Sequence, residues 1–115
     1  MKNLSTDVLI VGAGPTGLFL SNLLASYNVK NVLIEKNQST VKEPRAVSID
    51  DESLRVIQSL GVINKFLNKI SINYGSYYIS PNGKNFAVIE PTSKTYGFHK
   101  RNSFDQPDLE DLLLK

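Results

Sequence analysis

A chain of 115 residues with 41% apolar side chains suggests one domain whose core is moderate in size. Thirteen basic against 11 acidic residues leave a net charge of +2 with no basic block, which implies neither nucleic acid nor a membrane surface as partner. The absence of cysteine excludes disulfides, thiolate catalysis and zinc-thiolate sites, and the single histidine, His99, cannot build a multi-histidine metal centre.

Residues 1–6 are polar, and the first apolar run is too short for a signal peptide. Nothing approaches the ~20 apolar residues of a membrane span. The expectation is a soluble, cytoplasmic protein.

The informative stretch is residues 7–36, DVLIVGAGPTGLFLSNLLASYNVKNVLIEK. Val8-Leu9-Ile10-Val11 reads as a strand and leads directly into Gly12-Ala13-Gly14-Pro15-Thr16-Gly17. A helix over residues 16–27 follows, with Leu20, Leu23, Leu24 and Tyr27 as its expected buried face and Asn28 as a left-handed stop. A second strand over 31–35 ends on Glu35. Strand, glycine turn, helix, strand and acid together form the pattern of a dinucleotide-binding βαβ unit. Gly12 permits a sharp turn, Gly14 has no side chain to keep a pyrophosphate from the backbone, and Gly17 allows close helix–sheet packing. The helix N-terminus favours the phosphates, and Glu35 is placed to accept from a ribose. An acid there disfavours a 2′-phosphate, since two negative groups would be forced together.

Residues 37–43 read as a surface loop, followed by Pro44-Arg45-Ala46. Asp50-Asp51-Glu52 supply an N-cap and first-turn acids for a helix with Leu54, Ile57 and Leu60 on its apolar side and Gly61 at its end. Capping is preferred over paired catalytic carboxylates, because adjacent first-turn residues diverge. A short helix over 62–70 is expected next. Tyr77-Tyr78-Ile79 and Phe86-Ala87-Val88-Ile89 flank Pro81-Asn82-Gly83-Lys84, a hairpin signal, and the aromatics read as sheet residues rather than a base-stacking platform. Residues 90–97 are irregular. Pro107, capped by Asp105 or Gln106, starts a final helix over 108–114. His99 reads as a surface or packing residue.

DVLIVGAGPTGLFL, VLIEK, PRAVSIDDESLRVIQSLGV and RNSFDQPDLEDLL together resemble the N-terminal part of the FAD-dependent aromatic-ring hydroxylases. These are the flavoprotein monooxygenases typified by p-hydroxybenzoate hydroxylase, and the hydroxyphenylpropionate and phenol hydroxylase branch is the nearest in pattern. The resemblance implies an α/β fold: a Rossmann-like FAD/NAD(P)-binding βαβ unit over 5–36, with additional helices. A β-hairpin near 75–90 would begin a substrate-side sheet, and residues 1–115 would be an incomplete N-terminal part of a FAD-binding domain. It also implies FAD as cofactor. Gly12, Ala13, Gly14, Pro15, Thr16 and Gly17 would form the ADP-binding turn. Glu35 would hold the ribose and Lys36 would lie beside the adenine. Arg45 and Ala46 would run along the pyrophosphate and ribityl chain, with Arg101 and Gln106 near them. A solvated loop role is the alternative for Arg45, while Arg101 would occupy the strand just before Gln106, with a role away from the cofactor as its alternative.

The resemblance further implies that NAD(P)H reduces the flavin and that one atom of O2 enters a phenolic ring. No catalytic acid, base or nucleophile is evident in the segment, and the later flavin-contacting segments of the family are absent. The chain therefore reads as a fragment or truncation of such an enzyme. The alternatives are a non-catalytic ADP- or FAD-binding module, or another flavoprotein of this fold (halogenase, epoxidase or reductase). A small aromatic substrate would be the partner of the longer enzyme. Uncovered apolar sheet faces are expected to bring marginal stability or self-association.

Overall fold

A computed structural model describes residues 3–40, 42–43 and 45–115. Val41 of the expected surface loop and Pro44 of the Pro-Arg-Ala segment lie outside the described residues. The elements in chain order are β1 (Val8–Val11), α1 (Pro15–Ser26), β2 (Asn31–Ile34), β3 (Ser48–Asp50), α2 (Asp51–Ser59), α3 (Ile63–Leu67), β4 (Ser71–Ile72), β5 (Ser76–Ile79), β6 (Asn85–Ile89), β7 (Arg101–Ser103) and α4 (Gln106–Leu114). They fall into two units: one runs to Arg45 and resumes over Gln106–Lys115, and the other is Ala46–Asp105.

In the first unit β1 and β2 pair in parallel, with Val8 opposite Asn31 and Val11 opposite Ile34. Parallel neighbours need a crossover, and α1 supplies it. Pro15 at the first turn lacks an N–H that would be unsatisfied there anyway. At the other end Asn28 takes φ +58°, and Val29 N donates to Leu24 O at 2.9 Å, the six-residue closure of a left-handed stop. Asn31 Nδ2 donates to Ser21 O at 3.2 Å, tying the start of β2 to the middle of α1. α4 joins this unit through Asn22, whose Nδ2 donates to Leu113 O at 2.7 Å.

The expected buried face of α1 is not the one observed. Leu18 is buried, whereas Leu20 is 40% and Tyr27 71% exposed. Leucines surround most of this helix, so spacing alone allows several faces. The Asn22 bond to α4 fixes the roll and turns Leu18, one turn before it, inward.

The second unit is built on an antiparallel sheet in the order β3-β7-β4; the strand at Arg101 is the expected one, and the other two are too short, at two or three residues, to show in the sequence. Asp50 caps α2 as expected: its side chain accepts from Ser53 N at 2.8 Å, and the Ser53 hydroxyl first, with this amide second, holds its carboxyl below the ordinary value of 3.8. Gly61, at φ +73°, ends the helix by donating to Gln58 O at 2.9 Å. α3 is shorter than expected, five residues with Ile63 and Phe66 buried. Phe66 meets Phe104 edge to face, with ring centroids 6.0 Å apart. Asn102, fully buried, satisfies its amide by donating to Ile49 O at 3.3 Å and His99 O at 2.8 Å. β5 and β6 form the expected hairpin. Pro81 and Asn82 occupy the turn centre, Gly83 N returns to Ser80 O at 2.8 Å, and Gly83 takes φ +80°, the left-handed residue of a three-residue loop. Among the described residues no helix is long and apolar enough to cross a membrane.

Gly17 carries the tightest constraint of the first unit. A Cβ built there would collide with the Gly12 carbonyl oxygen and lie 3.2 Å from its carbon, whereas one at Gly14 meets nothing within 4 Å. Replacing a helical glycine by alanine ordinarily gains about 1 kcal/mol of helix propensity. Overpacking against backbone costs about 1–3 kcal/mol and has no flexible side chain to absorb it. Because the backbone oxygen cannot rotate away, the upper part of that cost applies, and urea unfolding of Gly17→Ala should show a net loss of about 1–2 kcal/mol once the propensity gain is subtracted. Gly14→Ala, which loses only capping preference, should cost less than about 1 kcal/mol. A Gly17→Ala variant as stable as the parent would refute the close approach.

Candidate functional site

The end of β1 turns at Gly12, whose φ of +105° is cheap only for glycine. Gly12 N donates to Ile34 O at 2.8 Å, extending the β1–β2 pairing into the turn. The next amide, Ala13 N, donates to Glu35 Oε2 at 2.8 Å. Glu35 Oε1 accepts from Asn37 N at 2.9 Å and from Asn37 Nδ2 at 2.8 Å. The Ala13 amide first, and the Asn37 amide second, hold this exposed carboxyl below its ordinary value of 4.5. An ionised carboxylate offers about four lone-pair sites, so these donors leave it capacity for a further hydroxyl.

Two cavities share Glu35 and Lys36 in their walls. One, of about 470 Å³, takes Ala13, Gly14 and Pro15 from the glycine turn, with Asn37, Ser39 and Thr40 from the loop after β2. Arg45, Gln106 and Glu110 complete it. The other, of about 410 Å³, adds Val11, Gly12 and Ile34 and is largely apolar. Thr40 Oγ1 donates to Asp111 Oδ1 at 3.1 Å, anchoring the loop on α4. The first intrahelical bond of α1 is Leu18 N to Gly14 O at 3.0 Å, so the Thr16 and Gly17 amides precede the helical ladder.

The chemistry of this set suits a nucleotide carrying a diphosphate. Because a Cβ at Gly14 would enter open space, protein packing does not demand the missing side chain there. Its absence leaves the α1 N-terminus approachable, and amide donors with the helix dipole favour an anion there. Lys36 and Arg45 line the larger cavity as cations, and the smaller one has the apolar walls an aromatic base needs.

Of the residues singled out in the sequence, Ala13, Gly14, Pro15, Glu35, Lys36, Arg45 and Gln106 come together around the larger cavity, and Gly12 lines the smaller. Thr16 is exposed in the first turn of α1, and Gly17 serves packing. Ala46 and Arg101 belong to the second unit. There the Arg101 guanidinium lies over the Tyr74 ring, 4.8 Å from its centroid. Hydrogen bonds from Ser48, and then Arg101, pull the Tyr74 phenol below 10.0. Sequence reasoning missed Asn37, Ser39, Thr40 and Glu110. The i,i+4 spacing of Gln106 and Glu110, which puts both on one helix face, was the available signal for the last.

The family described as FAD binding domain matches residues 5–115. A 3-(3-hydroxy-phenyl)propionate/3-hydroxycinnamic acid hydroxylase of Comamonas testosteroni is 40% identical over 109 residues, 95% of this chain and 18% of its own length. The protein of that description from Escherichia coli (strain SMS-3-5 / SECEC) is 35% identical over 113 residues, 98% of this chain and 20% of its own. This chain thus spans about a fifth of the length of these relatives. Among solved structures, p-nitrophenol 4-monooxygenase PnpA from Pseudomonas putida DLL-E4 superposes with a TM-score of 0.84 at 19% identity, covering 99% of this chain and 29% of that one. At that identity the likeness shows the fold alone, which is Rossmann-like.

Because the Glu35 pKa is depressed, its bond to Ala13 is complete above pH 4.5 and is lost as pH falls through the lower folded-state value. The Ala13 backbone amide resonance should therefore titrate with a midpoint below 4.5, and in Glu35→Gln this titration should vanish. A midpoint above 4.5, or an unchanged titration in the variant, would contradict the assignment.

Proposed function

The chain belongs to the FAD binding domain family, and we propose that its first unit holds the ADP portion of FAD as part of an aromatic-ring hydroxylase. The observation that carries this reading is the Glu35 carboxylate: fixed by Ala13 N at 2.8 Å, it stands in the walls of both cavities. In this reading the diphosphate sits over Gly14 with the Thr16 and Gly17 amides, and the Arg45 guanidinium answers its charge with a planar fork of donors. Glu35 accepts from the ribose, and the adenine occupies the apolar cavity beside Lys36. Gln106 meets the cofactor beyond the diphosphate. The assignments of Ala46 and Arg101 to the cofactor rest on the family pattern.

The chemistry FAD supplies when bound is oxidation–reduction. We assign to the polypeptide that carries this domain at the relatives' full length the hydroxylation of a phenolic ring with NAD(P)H and O2, in the cytoplasm. The two relatives named for hydroxyphenylpropionate and hydroxycinnamate support a small phenolic substrate. The residues of this chain bind and orient the cofactor; none is assigned to proton transfer.

The test is a titration of the chain with FAD and with ADP, followed by flavin fluorescence and calorimetry. Both should bind, and Gly14→Val should weaken both by about tenfold or more, since a branched side chain would occupy the phosphate position. Its melting temperature should stay near that of the parent. FAD affinity surviving Gly14→Val would sink the placement. Equal affinity for FAD and ADP would favour the second reading, a nucleotide-binding module that holds only the ADP portion. For the full-length protein, failure of a phenolic compound to stimulate NAD(P)H oxidation with flavin bound would sink the hydroxylase reading.

A further inference from the structure

The donors that hold Glu35 are shared unequally between its two oxygens. Oε2 accepts from Ala13 N at 2.8 Å, whereas Oε1 accepts from Asn37 N at 2.9 Å and from Asn37 Nδ2 at 2.8 Å. The Lys36 amide acts on the carboxyl more weakly than the amides of Ala13 and Asn37. An ionised carboxylate offers about two lone-pair positions per oxygen. The two Asn37 donors therefore fill Oε1 and leave the open acceptor position on Oε2. The backbone N–H at 37 would meet Glu35 with almost any side chain there, but the second bond to Oε1 needs the carboxamide. Its nitrogen must be the edge that faces Glu35, since an ionised carboxylate only accepts. A ribose with vicinal hydroxyls presents two donors, and a carboxylate open on both oxygens could take both. Glu35, which stands in the walls of both cavities, is open on one.

We propose that Asn37 is a specificity-determining residue of the cofactor site: by occupying Oε1 of Glu35, it restricts recognition of the adenosine ribose to one of its two hydroxyls, taken by Oε2. The inference rests on the reading above, in which the first unit holds the ADP portion of FAD. A second hydroxyl that displaced Asn37 Nδ2 would exchange one bond to the carboxylate for another, with no net gain.

The experiment compares, by calorimetry, the affinity of the parent chain for ADP, 2′-deoxy-ADP and 3′-deoxy-ADP, and repeats the series with Asn37→Ala. In the parent, one deoxy analogue should bind about tenfold more weakly than ADP and the other within about twofold of it. In Asn37→Ala, where Oε1 keeps the backbone donor alone, both analogues should bind about tenfold more weakly than ADP. A merely structural role for Asn37 would lower all three affinities together and leave their ratios unmoved. A second readout needs no ligand: the Asn37 side-chain amide resonances should titrate with the same midpoint as Ala13 N–H, below 4.5, because one carboxylate accepts from both. Equal weakening by both analogues in the parent overturns the proposal. So does an Asn37→Ala variant that still reads a single hydroxyl, or an Asn37 side chain whose resonances do not follow Glu35. Two outcomes reach further. Both analogues binding as tightly as ADP would remove the ribose from Glu35, and failure of ADP itself to bind would overturn the cofactor reading; this inference falls with either.

Discussion

The nearness of α1 to the Gly12 carbonyl is the constraint on which the first unit depends. Only a residue without Cβ fits at Gly17, and only there does the helix pass close enough to put its N-terminus over the end of β1. That placement aims the Thr16 and Gly17 amides into the space beyond the strand, where a diphosphate would find them. The three glycines act differently. Gly12 is required by its φ of +105°, Gly17 by a collision, and Gly14 by neither. Packing and backbone conformation thus leave Gly14 unexplained, which is why the proposed reading puts the diphosphate over it.

Two acids stand in a cavity suited to an anion, and each is made tolerable in a distinct way. Glu35 draws the Ala13 amide, so one of the donors of the turn is spent on the protein rather than on phosphate. In return, the carboxylate is locked where the polar and apolar cavities share a wall, the position the proposed reading gives to the ribose. Glu110 is buried and meets the Gln106 amide. Lys36 and Arg45 balance these two charges in formal count, so the favourable field for a diphosphate comes from the helix end and its amides more than from side-chain charge. Such a site discriminates by geometry, and its affinity should depend less on salt than that of a lysine-rich anion site.

The glycine turn, both strands of the βαβ unit, the Asn28 stop, the Asp50 cap, the hairpin and the last helix could all be read in the sequence. Each is encoded by residues within a few positions of one another, where backbone preference and capping chemistry act locally. What escaped is non-local. The sheet of β3, β7 and β4 pairs Ile49 with Asn102 and Ile72 with Asn102, across 53 and 30 positions, in strands too short to show a period. Glu110 escaped because an acid in an amphipathic helix is ordinarily on the wet side. The α1 face was misjudged for the opposite reason: too many leucines satisfied the pattern, and the Asn22 bond that decides among them reaches Leu113, 91 positions away.

Val8-Leu9-Ile10-Val11 is apolar on both faces of its strand, the pattern of a parallel strand covered on both sides. Here Ile10 is buried, while Leu9 is 58% and Val11 78% exposed, and Ile34 on the neighbouring strand is 47% exposed. Such a face contributes nothing to stability while wet, since apolar area stabilises at roughly 25 cal/mol per Å² only once removed from water. The glycine turn does not depend on it, although Val11 and Ile34 of this face also wall the smaller cavity. The turn's geometry is set by backbone bonds (Gly12 N to Ile34 O, Ala13 N to the Glu35 side chain) and by the Gly17 contact, all at the carboxyl ends of the strands. The uncovered face and the glycine turn are thus separable in origin, one a matter of burial and the other of local hydrogen bonding and sterics, and they meet at the smaller cavity. A βαβ unit can therefore hold the geometry of its turn while part of its sheet is still exposed.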